Sequence, residues 1–179
     1  CSNIGANNVV LTVTDEQGLT AYCTAIVTVS DMTNPTVICQ NVTVELDANG
    51  MASVDANQVN NGSSDICGIS SLSLDQSAFN CDDTGANEVT LTVTDANGNT
   101  ASCTATVTVE DNINPTVVCQ PLTIALDENG QATLTAEQIN NGSSDNCGSV
   151  ALSIDMETFD CNSLGDNIVT LTGTDPSGN

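Results

Sequence analysis

The stretch Val89–Asp111, VTLTVTDANGNTASCTATVTVED, decides how this chain folds. Val89, Leu91 and Val93 alternate with Thr90, Thr92 and Thr94; Cys103, Ala105, Val107 and Val109 alternate with Thr104, Thr106 and Thr108. Successive side chains of a strand point to opposite faces, so each segment presents one apolar and one polar face and reads as a half-buried antiparallel strand. TDANGN between them is a turn signal, and the two strands form a hairpin. Cys103 shares the apolar face of its strand, which argues for a disulfide in the core.

Working outward, the same words return at a fixed distance. VTLTGTDPSGN begins at Val169 and NNVVLTVTDEQG at Asn7; NPTVICQ at Asn34 returns as NPTVVCQ at Asn114, and NNGSSDICG at Asn60 as NNGSSDNCG at Asn140. The nine cysteines keep the register, because Cys1 to Cys81, Cys23 to Cys103, Cys39 to Cys119, Cys67 to Cys147 and Cys81 to Cys161 are each 80 residues apart. A fixed period of this length marks an array of structural modules. It divides the chain into the C-terminal part of one repeat (1–33), a complete repeat (34–113) and an incomplete repeat lacking its last strand (114–179). The chain then reads as a window on a longer array, with the partner of Cys161 expected at position 183. No signal peptide, sorting tag or membrane span is visible.

Lys, Arg and His are absent against 23 acidic residues, a formal net charge of −23. There is no histidine to shuttle protons or bind zinc, no lysine for a Schiff base and no basic group to hold phosphate. Nucleic acid and anionic membranes should be repelled. Two readings of the acidity are compatible: a surface that takes metal cations as counter-charges, and selection for solubility or protease resistance in an exposed polymer. Tyr22, Phe79 and Phe159 are the whole aromatic set, so Val, Ile, Leu, Ala and cystine must fill the cores. A module of this size sits where burial alone is marginal and disulfides are commonly added.

Four cysteines per period allow three connectivities. The pairing expected is Cys39 with Cys67 and Cys81 with Cys103, and by repetition Cys1 with Cys23 and Cys119 with Cys147. It closes short loops, each worth roughly 3 to 4 kcal/mol on the chain-entropy model. Without a CxxC or a histidine, a metal site for the thiols is a poor alternative. Disulfides point to an oxidising compartment, hence an extracellular, cell-surface location.

Val42, Val44 and Leu46 lead through Asp47–Gly50 into 51–54, which reads as a second hairpin with an Asn-Gly turn; Cys39 is out of phase with these residues, so its bond is expected at the periphery. Residues 55–68 suggest a helical turn and a loop, and 70–74 a further strand. Seven or so short strands in about 80 residues indicate an all-β fold of tandem immunoglobulin-like β-sandwich repeats, disulfide-stapled.

A proline followed by a cysteine, then DxCG, a Phe and a Gly, the alternating strand, TDxxGN, and Cys with xxVTVxD together resemble the hyalin repeat, or HYR module, over essentially every residue of the repeat. Acidic, lysine-free arrays of this kind resemble the giant surface adhesins of Bacteroidota, including those that gliding bacteria move over their surface. The resemblance implies an immunoglobulin-like fold, secretion to the cell surface and adhesion, with no catalytic residue. One departure is Gly173, where Val93 and Val13 stand in the other copies; it should weaken that strand locally.

Strand directions place the TDANGN turn at the incoming end of a module, and the Asp47–Gly50 turn and the Asp82, Asp83 loop at its outgoing end. One junction should then gather Asp47, Asn49, Asp82 and Asp83 from below, Asp111, Asn112 and Asn114 from the linker, and Asp145 and Asp175 from above. Asp31 and Asp95 occupy the corresponding places one repeat earlier. Calcium takes six to eight oxygens from such groups, and the expectation is junctional Ca2+. The competing reading is that these Asp, Asn and Gly residues are ordinary turn formers. The sequons at Asn41, Asn61 and Asn141 are read as loops first.

Three functions compete. A structural stalk or filament segment of a large extracellular adhesin, its partners being neighbouring repeats of the same chain and other copies in a filament, leads. The alternative is a binding module for a glycan or a partner cell, weakened by the lack of aromatics to stack on sugars. A hydrolase using two carboxylates is the least favoured, since no cleft is evident. More than half the positions of 34–99 and 114–179 are identical, as expected of interchangeable stalk copies.

Overall fold

The computed structural model describes residues 1–179, and its regular structure is mainly strand. The first two, β1 (Gly5–Thr14) and β2 (Thr20–Val29), pair antiparallel over their whole length. Then come β3 (Val42–Glu45), β4 (Met51–Ser53), a helical turn α1 (Ala56–Val59), β5 (Ile69–Leu74), β6 (Ala78–Asn80), a 3-10 turn (Cys81–Asp83), β7 (Gly85–Asp95) and β8 (Thr100–Glu110). The remainder holds β9 (Gln131–Thr133), α2 (Ala136–Ile139), β10 (Ala151–Ile154), β11 (Thr158–Asp160), a 3-10 turn (Cys161–Ser163) and β12 (Leu171–Thr174). These later elements lie 80 residues beyond counterparts in 51–94, down to the single bridges Cys39 to Asn60 and Cys119 to Asn140.

Strands β3, β8, β7 and β5 form one sheet in that order, and β4 pairs with β6 in another. The second hairpin expected from the sequence is therefore corrected. The Asp47–Gly50 turn is present, with the Gly50 N–H donating to the Asp47 carbonyl at 2.8 Å, but the strands it joins part into different sheets. Asn-Gly defines a turn; which neighbour each flanking strand takes is decided by the rest of the module.

Local chemistry sets the short helix. The Asp55 carboxylate accepts the Asn57 N–H at 2.8 Å while the Gln58 side chain accepts the Asp55 N–H at 2.8 Å, a reciprocal cap. That turn carries Val59 into full burial.

Contacts divide the chain into two compact units, each of which draws on the long strands β7 and β8. The first comprises Cys1–Val42, Val54–Ser77 and Glu88–Thr106, with Val54, Val59, Val89, Leu91, Val93 and Ala105 buried. The second comprises Thr43–Ser53, Ala78–Asn87 and Val107–Asn179. It buries Leu46, Phe79, Val107 and Val109, and a cluster of Leu134, Ala136, Ile139, Phe159 and Leu171.

Gly173 lies within β12, paired with Leu152, so the strand survives the missing side chain. A Cβ on Gly173 would stand 2.7 Å from Val150 Cγ1 and 2.8 Å from Val117 Cγ2, closer than packing allows. Position 150 is the counterpart of Ser70, and 173 the counterpart of Val93. The larger residue has moved from β12 to the position just ahead of β10, where its side chain fills the space beside Gly173.

Candidate functional site

The disulfides depart from the expected pairing. Cys39 bonds Cys103, Cys1 bonds Cys67, and Cys81 bonds Cys147, while Cys23, Cys119 and Cys161 are free and exposed. None of the four short-loop pairs expected from the sequence forms. The reason is strand order: β3 lies beside β8, which brings Cys39 to a Cα–Cα distance of 6.1 Å from Cys103 on that strand. Cys103 is half-buried, and Cys39 is tied to β8 rather than to the loop at Cys67. The other two bonds are one bond displaced by 80 residues, each closing a separation of 66. Both run from one sequence repeat into the next.

In the second unit this crossing bond sits among polar groups. Asn146 precedes Cys147 and donates through Nδ2 to the Asp47 carbonyl and to Asp111 Oδ1, both at 3.3 Å. Gly50 lies close by, with φ of 71°, and a Cβ there would fall 2.5 Å from Cys81 Sγ and 3.0 Å from the Asn146 carbonyl oxygen. Only glycine serves both the left-handed turn and the approach of the sulfur. Asp111, which is buried, takes further hydrogen bonds: the Ile113 N–H donates to Oδ1 at 3.2 Å, the Ser177 hydroxyl to Oδ2 at 3.5 Å, and Asn179 Nδ2 to the main-chain carbonyl at 2.8 Å. Carboxylate oxygens of Asp111 and Asp145 and the Cys147 sulfur lie within 4.8 Å of one another. Asp145 Oδ1 and Asn146 Oδ1 are buried and accept no hydrogen bond.

The first unit repeats the arrangement one period earlier with fewer bonds. Asp31, Asp65 and Cys67 cluster as Asp111, Asp145 and Cys147 do. Asn97 Nδ2 donates to Asp31 Oδ2 at 2.9 Å and Asn99 Nδ2 to the Asp31 carbonyl at 3.2 Å. Where Asn146 stands in the second unit, the first has Ile66, which is largely exposed.

Of the residues picked out as metal ligands, the structure brings together Asp111 with Asp145, beside the Asp47 turn and the turn that begins at Asp175. Asp31 meets Asp65, which was not among those picked out, and most of the others serve turns. Asp47 Oδ1 accepts the N–H groups of Asn49 and Met51, and Asn49 donates rather than offering oxygen. Asp95 and Asp175 hold the TDxxGN turns, each taking the N–H and the side-chain amide of the Asn four residues on. Asp83 caps the 3-10 turn by accepting the Asn80 N–H, Asp82 is exposed, Asn112 donates to Glu45 and Glu110, and Asn114 is exposed. Sequence reasoning missed Asn146, Asp65 and the Asn97, Asn99 and Asn179 amides. Asn146 was findable, because 66/146 is a place where otherwise matching words differ.

Hydrogen bonding also holds these carboxyls ionised. Main-chain N–H groups of Met51 and Asn49 keep Asp47 below the usual carboxylate range, and those of Gln131 and Asn129 do the same for Asp127. Burial works against charge on Asp95, but donation from the Asn99 amide and from the N–H groups of Asn97, Asn99 and Gly98 overcomes it.

Residues 30–109 match the family model of the HYR domain, a non-catalytic family associated with extracellular proteins of the adhesion type. That stretch is an HYR-like module. Neither a curated protein nor a solved structure matches the chain significantly. No helix is long and apolar enough to cross a membrane.

Proposed function

We propose that this chain is a load-bearing segment of an extracellular adhesin stalk, built from immunoglobulin-like sandwich modules of 80 residues that are joined covalently from each repeat to the next. The observation that carries this reading is the pair of crossing bonds, Cys1 to Cys67 and Cys81 to Cys147. Tension applied along the chain enters Cys67 through sulfur, follows the main chain only to Cys81, and leaves through sulfur to Cys147. The 66-residue separations closed by the two bonds are shielded, and 14 residues of main chain per period carry the load. Each loop closure also stabilises the folded state by about 4 kcal/mol on the chain-entropy model.

Calcium at the junction is the second part of the reading. Asp111 and Asp145 would supply carboxylate oxygens and Asn146 its amide oxygen, a hard donor set that suits Ca2+ better than a softer ion. Two buried acceptors without a donor, in a chain with no basic side chain, support it. The Cys147 sulfur, engaged in its disulfide, would stand aside.

Pulling the oxidised chain between residues 1 and 147 tests the proposal. Extension on forced unfolding should be limited to about 50 Å, against about 500 Å after reduction, at roughly 3.5 Å per residue. A long extension without reductant would exclude the sulfur path. For calcium, titration calorimetry on the chain and on Asp111→Asn with Asp145→Asn should show one site lost; heats unaltered by the substitutions would remove the metal and leave the disulfide ladder standing.

A further inference from the structure

Five Asn-Gly pairs occur in the chain, beginning at Asn49, Asn61, Asn97, Asn129 and Asn141. Asparagine is a chemically labile residue, and a following glycine has no Cβ to obstruct attack of its own nitrogen on the Asn side chain. The structure sorts the five pairs into two kinds.

At Asn49, Asn97 and Asn129 both reacting groups are held. The N–H groups of Gly50, Gly98 and Gly130 donate to the carbonyls of Asp47, Asp95 and Asp127 at 2.8, 3.4 and 3.0 Å. The Asn amides donate to carboxylates, Asn49 to Asp47 at 3.4 Å, Asn97 to Asp31 at 2.9 Å and Asn129 to Asp127 at 3.3 Å. Two of these turns are also packed against sulfur, since a Cβ on Gly50 would stand 2.5 Å from Cys81 Sγ and one on Gly130 2.9 Å from Cys161 Sγ.

At Asn61 and Asn141 neither group is held. Both residues are exposed, their side-chain amides make no hydrogen bond, and the Gly62 and Gly142 N–H groups donate to nothing. A Cβ on either glycine would meet no atom within 4 Å, so the space around the pair is open. The loops are anchored on either side instead. Asn61 N–H donates to the Ile38 carbonyl at 2.8 Å and Ser64 N–H to the Thr36 carbonyl at 2.9 Å; Asn141 and Ser144 make the same bonds to Val118 and Thr116, both at 2.9 Å.

We propose that Asn61 and Asn141 are sites of self-modification, at which the folded chain converts asparagine to aspartate and isoaspartate with water as the only co-reactant. The nitrogen of Gly62 or Gly142 loses its proton and bonds to the Asn Cγ. The Cγ–Nδ2 bond breaks, ammonia leaves, and a five-membered cyclic imide remains. One water then opens the ring: cleavage at Cγ gives aspartate, and cleavage at the main-chain carbonyl gives isoaspartate. Each event adds one negative charge, and isoaspartate lengthens the main chain by one carbon between the two anchors of its loop. Those loops lead directly into Asp65 and Cys67, and into Asp145 and Cys147. The inference rests on hydrogen bonding within the loops and turns and is independent of the stalk reading.

The test holds the full oxidised chain in warm neutral buffer and follows each site by peptide mapping, with mass spectrometry for the conversion and chromatography to separate isoaspartate from aspartate. Conversion at Asn61 and Asn141 should run about tenfold or more faster than at Asn49, Asn97 and Asn129, where two hydrogen bonds must first be broken. Equal rates at all five, or a faster rate at any of the three turns, would overturn the proposal. The reduced chain in denaturant separates fold from sequence. There the five rates should converge, and a preference for Asn61 and Asn141 that persisted undiminished would also overturn it. Asp127→Ala removes the acceptor of the Asn129 amide and of the Asn129 and Gln131 N–H groups. It should raise the rate at Asn129 toward that at Asn141; an unchanged rate would count against the proposal.

Discussion

The hairpin of β1 and β2 and the hairpin of β7 and β8 have nearly the same sequence and opposite environments. Val89, Leu91 and Val93 are 0% exposed, while Val9, Leu11 and Val13 are 49%, 62% and 61% exposed. Both hairpins form across a TD turn, β1 pairing with β2 along its whole length and β7 lying beside β8 in its sheet, so alternation and turn chemistry suffice to make the element. They do not bury it. Burial of β7 comes with its place between β8 and β5 in a four-stranded sheet, whereas β1 pairs with β2 in a sheet of two. The difference separates what a strand owes to its own pattern from what it owes to its cover.

The largest expected break in that comparison is at sulfur. Cys103→Ser removes the bond to Cys39 and should lower stability by about 4 kcal/mol in denaturant melts, whereas Cys23→Ser, at the matching place on β2, should change nothing measurable. Core truncation comes next: Leu91→Ala should cost roughly 3 kcal/mol and Leu11→Ala less than about 0.5, and equal costs would mean that the first hairpin has cover of its own. Volume exchange gives a smaller effect. Gly173→Val should cost about 1 to 3 kcal/mol through its clash with Val150 and Val117, and adding Val150→Ser should recover most of it.

The smallest effect is set by pH. Asp47, Asp95 and Asp127 have carboxyl pKa values lowered in the folded state, so the stability they contribute is complete above the unfolded value of about 3.9 and is lost as pH falls through the lower folded values. Melts in high salt, which damps the general repulsion among the carboxylates, should therefore show a decline that begins below about pH 4. Asp95→Asn should make that decline shallower; a slope unchanged by this substitution would mean that the turn carboxylates are not its source.

Much of the fold was legible in the residues. The 80-residue period is a comparison of the sequence with itself, and the strand segments, the helical turn after Asp55 and the turn-forming Asp residues could be read locally, because each depends on neighbours a few positions away. The Asp47–Gly50 turn was read correctly as a turn and wrongly as a hairpin, since partner choice is not local. The cysteine pairing failed for the same reason. Short loops are favoured when nothing else is known, but the bonds join cysteines 64 to 66 residues apart that the fold brings together. In the candidate site, the acidic turns were visible as residues, yet only Asp111 with Asp145, and Asp31 with Asp65, come within reach of one another. Most of the rest spend their oxygens on the N–H groups of their own turns.

By itself, then, the sequence determined periodicity, strand and turn identity, the absence of basic chemistry and the number of sulfur atoms available. These follow from composition and from backbone preferences over a few residues. Only the tertiary structure decided which strand lies beside which, which faces are covered and which sulfurs meet. Those depend on distances between residues far apart in the chain, and it is through them that a count of cysteines became a bond crossing from one repeat to the next.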